Sequence, residues 1–218
     1  TKPILALFAG ATVALASCSQ NNKTDQSDTA TADSTLAPVE TNAPNSEYKP
    51  AFPGQTRIAG VKSKTAYEGK VLVEGLKNPW GVTSLPDGRL LITEKGGTMR
   101  IATSTGELSA PITGLPAVNS DGQGGLLGVR ADPAFDQNRM IYWVFAEKLP
   151  EGNLTAVAKG KLSADEKKIE GATVIYRATP AYKGDLHYGG RILFDKQENL
   201  IVSTGERSDT ITRPQAQQ

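Results

Sequence analysis

His187 is the only histidine in 218 residues. It stands just before the first of two short apolar runs, 191–194 and 200–204, and Glu206 stands just after the second. An imidazole that donates one ring N–H to a carboxylate has its tautomer fixed, and its other nitrogen is left free to take a proton. A histidine and a glutamate in contact would therefore be a general base with its orienting group. The same residues also fit a plainer role: a histidine that hydrogen-bonds its own glycine-rich loop, and a solvated glutamate at a strand end.

Contact between them needs a hairpin. The two runs are rich in Ile, Leu and Val and are separated by Asp195, Lys196, Gln197, Glu198 and Asn199, a polar turn. This pattern predicts two antiparallel strands. In a hairpin the outer ends meet, so residues 19 apart in sequence become side-chain neighbours.

Further strand-like runs are predicted at 71–76, 81–85, 89–93, 98–103, 126–131, 139–145, 153–162 and 174–178. No long stretch carries helical periodicity, so the class is all-β. The runs also repeat as a unit of strand, Asp-containing turn and strand, with second strands starting near residues 89, 139 and 199, intervals of 50 and 60. A period of this size with about four strands per repeat is the signature of propeller blades, a β-sandwich with irregular loops being the alternative. From residue 70 to 218 there is room for two blades and the first two strands of a third.

Composition bounds the partners. Apolar content is 38% and the net charge is +1, which gives no electrostatic bias toward nucleic acid or acidic lipid. Residues 4–16 form a 13-residue apolar run after Lys2, shorter than the roughly 20 residues a membrane span needs but suited to an export signal. Leu15, Ala16, Ser17 and Cys18 follow and resemble a bacterial lipobox, in which the cysteine is acylated and becomes the mature N-terminus. An ordinary cleavage site or a short buried helix would also fit the run. Residues 19–56 are rich in Ser, Thr, Asn, Asp, Gln, Ala and Pro and read as a disordered polar tether. The expected organisation is thus a lipoprotein signal at 1–18, a tether at 19–56 and a partial propeller at 57–218. By the bacterial sorting rule, Ser19 after the cysteine points to the outer membrane, facing the periplasm. The anchor would be the chain's one membrane contact.

Four ordered motifs, DGQGGLLGV (121–129), ADPAFDQNRMIYWVF (131–145), HYGGRILFD (187–195) and STGERSD (203–209), together resemble the soluble quinoprotein glucose/sorbosone dehydrogenases. The resemblance runs from about residue 70 to the C-terminus. It implies a six-bladed propeller, of which this chain supplies about two and a half blades. The last residues, RPQAQQ, resemble an internal stretch of the family, so the sequence reads as part of a longer chain and is expected to be inactive alone. The implied activity is oxidation of an aldose at its anomeric carbon to the lactone, with pyrroloquinoline quinone (PQQ) and calcium as cofactors and an electron acceptor that the sequence does not name.

The resemblance also assigns roles. His187 matches the base, and Glu206 falls where the family usually has an aspartate that orients it. Gln123 matches a glutamine that reaches sugar hydroxyls. Before the histidine, the glucose-type branch has an aspartate that contacts substrate; this chain has Leu186 there and Asp185 one position earlier, which points to the broader aldose branch and makes Asp185 a candidate substrate contact. Arg191 and Arg207 are read as structural salt-bridge partners, with fixing loops or cofactor carboxylates as the other roles. No cofactor or metal ligand is assigned within the chain, since the family's ligands lie on later blades, beyond Gln218. Two other functions stay open: a non-catalytic carbohydrate- or protein-binding propeller, and a lactonase-type hydrolase, for which no converging set of Asp, Asn and Glu is evident.

Overall fold

The computed structural model describes residues 36–52 and 55–217. Contacts divide the chain into two units, one ending at Glu68 and one beginning at Gly69. In the first, the described residues are irregular and largely exposed, tied by an isolated antiparallel bridge between Pro38 and Ala59. The apolar run 4–16, Cys18 and residues 19–35 lie outside the described residues.

The second unit is all-β, with nine strands among the described residues in three antiparallel meanders. The first sheet holds β1 (Pro79–Ser84), β2 (Leu90–Glu94) and β3 (Thr98–Ala102). The second holds β4 (Leu126–Ala131), β5 (Met140–Leu149), β6 (Gly152–Leu162) and β7 (Ile169–Arg177). The third is the hairpin of β8 (Gly189–Phe194) and β9 (Leu200–Thr204). Second strands start at Leu90, Met140 and Leu200, within one residue of the repeat read from sequence.

Each sheet buries what the strand period dictates. The first strands of the first and last sheets, β1 and β8, present alternate residues inward, as in β8, where Gly190 and Ile192 are buried and Arg191 and Leu193 are not. β5 is buried on both faces and so lacks polar alternation. Its Ile141, Trp143 and Phe145 pack with Leu91, Met99 and Ile101 of the first sheet. On the other face, Val144 and Ala146 pack with Tyr188 and Ile192. The middle sheet is thus covered on both sides, and each large apolar side chain buried there contributes about 1.5 to 3 kcal/mol.

The first strands of the three sheets stand side by side, and glycine makes that possible. A Cβ at Gly81 would lie 2.7 Å from the Leu127 carbonyl oxygen, and one at Gly128 would lie 2.2 Å from that of Gly190. The ladders also break at these places, between Pro79 and Val82, Leu126 and Val129, and Gly189 and Ile192. One irregularity is therefore repeated in every inner strand, where backbones of consecutive sheets must touch. Thr93 secures the first contact, accepting the Gly81 N–H at 2.8 Å and donating to the Leu127 carbonyl at 2.7 Å. Meanders joined through their first strands are propeller blades, here three, four and two strands wide.

An ionic clamp ties the outer parts of the first two blades. Arg89 in the β1–β2 turn donates to both oxygens of Glu166 in the β6–β7 turn, at 2.6 and 2.8 Å, and Arg139 donates to Glu166 Oε1 at 3.1 Å. The hydrogen bonds from Arg89 are the chief cause that holds the Glu166 carboxyl below its usual range.

Several details differ from the sequence reading. Residues 71–76 form no strand; Val71 is 74% exposed, and no strand lies beside it among the described residues to complete its ladder. β7 starts at Ile169, five residues ahead of the expected 174. The first blade lacks a full fourth strand: only isolated bridges join Leu108 to Ala102 and Ile112 to Met99, where Pro111 has no N–H for a ladder. A single helical turn, α1 (Phe135–Asn138), interrupts the β4–β5 hairpin and is organised by Asp132, which accepts from the Ala134 N–H and the Asn138 amide, both at 2.9 Å.

Candidate active site

Two connections between blades supply the site: the one from β3 to β4 carries Gln123, and the one from β7 to β8 carries Asp185 and His187. The β8–β9 register pairs Gly189 with Thr204, which leaves His187 two residues before the ladder and Glu206 two residues after it. The hairpin brings them into contact. His187 Nδ1 lies 2.8 Å from Glu206 Oε1 and 2.9 Å from Oε2. The side chains are 44% and 23% exposed, so the pair sits at a mouth rather than in the core. The Glu206 carboxyl is held below its usual range, chiefly by the hydrogen bond with His187.

The backbone beneath the pair is unusual. His187 has φ +47°, Arg207 +65° and Ser208 +59°, all left-handed for non-glycine residues. The two loops approach so closely that a Cβ at Gly205 would lie 2.0 Å from the His187 carbonyl oxygen. Gly205 N–H donates to the Tyr188 carbonyl at 3.1 Å, and Arg207 N–H to that of His187 at 3.3 Å.

Gln123 is joined to the histidine loop twice. Its own N–H donates to the Asp185 carbonyl at 2.7 Å. Its side-chain Oε1 accepts the His187 N–H at 2.9 Å. Lys95 holds the same loop by donating from Nζ to the Gly122 carbonyl at 2.6 Å. Asp185 points its carboxylate inward, where Oδ1 accepts from the amides of Asn119 at 3.1 Å and Asn153 at 3.2 Å.

His187, Gln123, Lys95, Trp80 and Tyr188 line one cleft of about 300 Å³. Glu206 instead lines a neighbouring hollow of about 470 Å³ with Tyr176, Tyr182 and Arg207. The hydrogen-bonded pair stands between them, with His187 lining the smaller space and Glu206 the larger. With Nδ1 on the carboxylate, Nε2 has no hydrogen-bond partner among the described residues and can exchange a proton with a bound hydroxyl.

Several contributors escaped the sequence reading. Tyr188 is 2% exposed and donates its hydroxyl to Asn153 Oδ1 at 2.7 Å, and burial raises its phenol pKa. Thr155 reaches from β6 to donate to the Tyr188 carbonyl at 2.8 Å. Asn153 stood in the predicted strand 153–162 and Tyr188 within residues 187–195, and neither they nor Asn119 carried a functional signal in sequence. Neither Arg191 nor Arg207 forms a salt bridge among the described residues, contrary to the structural reading of both. Arg191 lies over Trp80, 6.0 Å from the ring centroid, and Arg207 binds carbonyl oxygens.

The cleft has a cation, Lys95, and an aromatic, Trp80, beside His187, surroundings that fit a planar quinone bearing carboxylates. No group of three His, Cys, Asp or Glu among the described residues is placed to hold a metal ion.

The family model described as Glucose / Sorbosone dehydrogenase matches residues 76–218. The chain is 39% identical over 150 residues to aldose sugar dehydrogenase YliI of Escherichia coli strain K12, an alignment that covers 68% of this chain and 40% of that protein. It therefore spans about two fifths of that relative's length. The crystal structure of the apo-form of the soluble aldose sugar dehydrogenase from Escherichia coli superposes with a TM-score of 0.61 at 37% identity, covering 64% of this chain and 41% of that one. The PQQ-bound aldose sugar dehydrogenase from Streptomyces coelicolor gives a TM-score of 0.56 at 28% identity, covering 65% and 42%. With two thirds of its length matched by the family model, the chain belongs to the glucose/sorbosone dehydrogenase family.

Proposed function

We propose that this chain is the base-bearing part of a PQQ-dependent aldose sugar dehydrogenase. The observation that carries the reading is the His187 imidazole, bonded through Nδ1 to Glu206 and lining the cleft that also holds Gln123. His187 Nε2 takes the proton of the anomeric hydroxyl, Glu206 stabilises the imidazolium that results, and the Gln123 amide donates to a sugar oxygen. PQQ, when bound together with calcium, would supply the acceptor for the hydride that leaves the same carbon. The sugar thus loses one proton and one hydride, two protons and two electrons in all, as its C–O bond becomes the lactone carbonyl. Trp80 and Lys95 are the residues of this chain that would face the quinone. Asp185 acts on substrate only indirectly, because its carboxylate is bonded to Asn119 and Asn153.

The proposal extends to placement. Cys18 is acylated and tethers the domain to the cell envelope, at the outer membrane facing the periplasm. Three sheets of three, four and two strands do not close a ring, so the 218 residues by themselves are expected to be inactive.

The test uses a polypeptide carrying all the blades, loaded with PQQ and calcium and given several aldoses and an artificial electron acceptor. Acceptor reduction is expected, and His187→Ala should lower turnover by about 10²-fold or more. A loaded protein that oxidises no aldose but binds oligosaccharide would instead support a non-catalytic binding propeller.

A further inference from the structure

We infer that Arg207 is the positioning residue of the His187–Glu206 pair. In sequence it reads as a structural salt-bridge partner, yet its guanidinium has no carboxylate partner among the described residues. Its donors go elsewhere. Nε donates to the Leu186 carbonyl at 3.0 Å, Nη1 to the Asn153 carbonyl at 3.2 Å, and Nη2 to Asn153 Oδ1 at 2.6 Å and to the Gly184 carbonyl. The guanidinium carbon lies 4.1 Å from the Tyr188 ring centroid. One side chain thus collects carbonyls from Gly184 and Leu186, just ahead of the histidine, and from Asn153 on β6, and it stacks on the residue that follows the histidine.

This arrangement meets a specific need. His187, Arg207 and Ser208 hold left-handed backbone conformations, which persist only where the surroundings over-determine them. The Arg207 main chain adds to this by donating its N–H to the His187 carbonyl at 3.3 Å. Arginine serves from both ends: the backbone clamps His187 to the segment bearing Glu206, and the fork fixes the approach of the histidine loop. The planar fork matches carbonyls arrayed on several sides, whereas a lysine ammonium presents three donors from a single point. Arg207 touches neither substrate nor the proton in transfer, so its effect is on where the imidazole stands.

The inference rests on the reading of His187 as the base, and its test separates the two. In the loaded protein with all its blades, Arg207→Ala should lower kcat by about 10²-fold, the loss expected from a small misplacement of a catalytic group, with KM changed less than about twofold. Added guanidinium ion should restore part of the rate and ammonium none, and Arg207→Lys should remain impaired. The second readout needs no turnover. In the imidazole ¹H–¹⁵N spectrum, with His187 assigned by difference against His187→Gln, the wild type should show an Nδ1–H protected from exchange, and Arg207→Ala should lose that protection. Wild-type kcat in Arg207→Lys, a raised KM with unchanged kcat, or an unaltered imidazole spectrum would each overturn the inference. If Arg207→Ala does not fold, Arg207→Lys is judged by the same kinetic and spectral criteria. If the wild type oxidises no aldose, the functional reading fails, while the imidazole spectrum still decides the role of Arg207.

Discussion

The side-chain oxygen of Gln123 accepts the backbone N–H of His187 at 2.9 Å, across 64 residues of sequence. The residue proposed to recognise the sugar is thereby part of the mounting of the proposed base. With one lone pair of its oxygen committed to His187, Gln123 has its two amide N–H groups as the donors to offer a ligand.

Gln123→Glu keeps an oxygen for the His187 N–H and gives up the donor. It should raise KM for aldoses by about 2- to 10-fold, the worth of one hydrogen bond, with kcat near wild type. Gln123→Leu loses both and should lower kcat as well. Steady-state kinetics of the two variants in the loaded enzyme check this, and equal kcat values would show that the bond to His187 is dispensable.

Glu206→Gln should cost less turnover than His187→Ala, because the carboxylate orients and stabilises the imidazole without receiving the substrate's proton. The pH behaviour has a definite sign. The Glu206 carboxyl is depressed by its hydrogen bond with His187, so the contact is present above the ordinary carboxylate pKa and is lost as pH falls through the lower folded value. Carboxyl ¹³C NMR should therefore find Glu206 titrating below ordinary glutamates, with its midpoint moving up in His187→Gln. No movement in that variant would mean the depression has another source.

Glu166→Gln should destabilise the folded protein by about 1 to 2 kcal/mol, since it breaks a half-buried clamp between blades and leaves Arg89 and Arg139 without their shared charge. A melting temperature lower by about 2 to 4 °C per kcal/mol follows for a domain of this size. The Glu166 carboxyl is also depressed in the fold. Its contribution is therefore present above the unfolded carboxylate pKa, near 4.3, and disappears as pH falls through the folded value. Thermal melts of wild type and variant should differ at pH 7 and converge in strong acid; parallel curves over the whole range would contradict the clamp.

Gly128→Ala should be among the most damaging small substitutions in the chain. A Cβ there meets the Gly190 carbonyl oxygen at 2.2 Å, a backbone atom that cannot rotate away. The cost should be about 3 kcal/mol, typical of severe overpacking. Alanine at Gly96, where a Cβ meets nothing within 4 Å, serves as the control. Chemical denaturation of both variants makes the comparison, and a near-neutral Gly128→Ala would show that the inner strands can part without loss.

What was legible from sequence was local. The starts of β2, β5 and β9 agree with the repeat because each follows a short turn whose residues dictate it: Asp195, for example, accepts from the N–H groups of Gln197 and Asn199, both at 2.8 Å. The His187–Glu206 contact was legible for the same reason, since a hairpin of known period and turn determines which flanking residues meet. The bond from Gln123 to His187, the Asn119 and Asn153 amides on Asp185, and the reach of Arg207 to Asn153 were decided only by tertiary structure. Each joins consecutive blades or the loops between them, and its geometry depends on how closely the inner strands approach. That spacing is set where Gly81 and Gly128 let backbone meet backbone and where Gly190 makes room for the Leu127 and Trp80 side chains. No strand period or turn signal encodes which carbonyls a half-buried guanidinium will find once the blades are stacked, and so Arg207 read as an ion-pair partner and folded as the brace of the histidine loop.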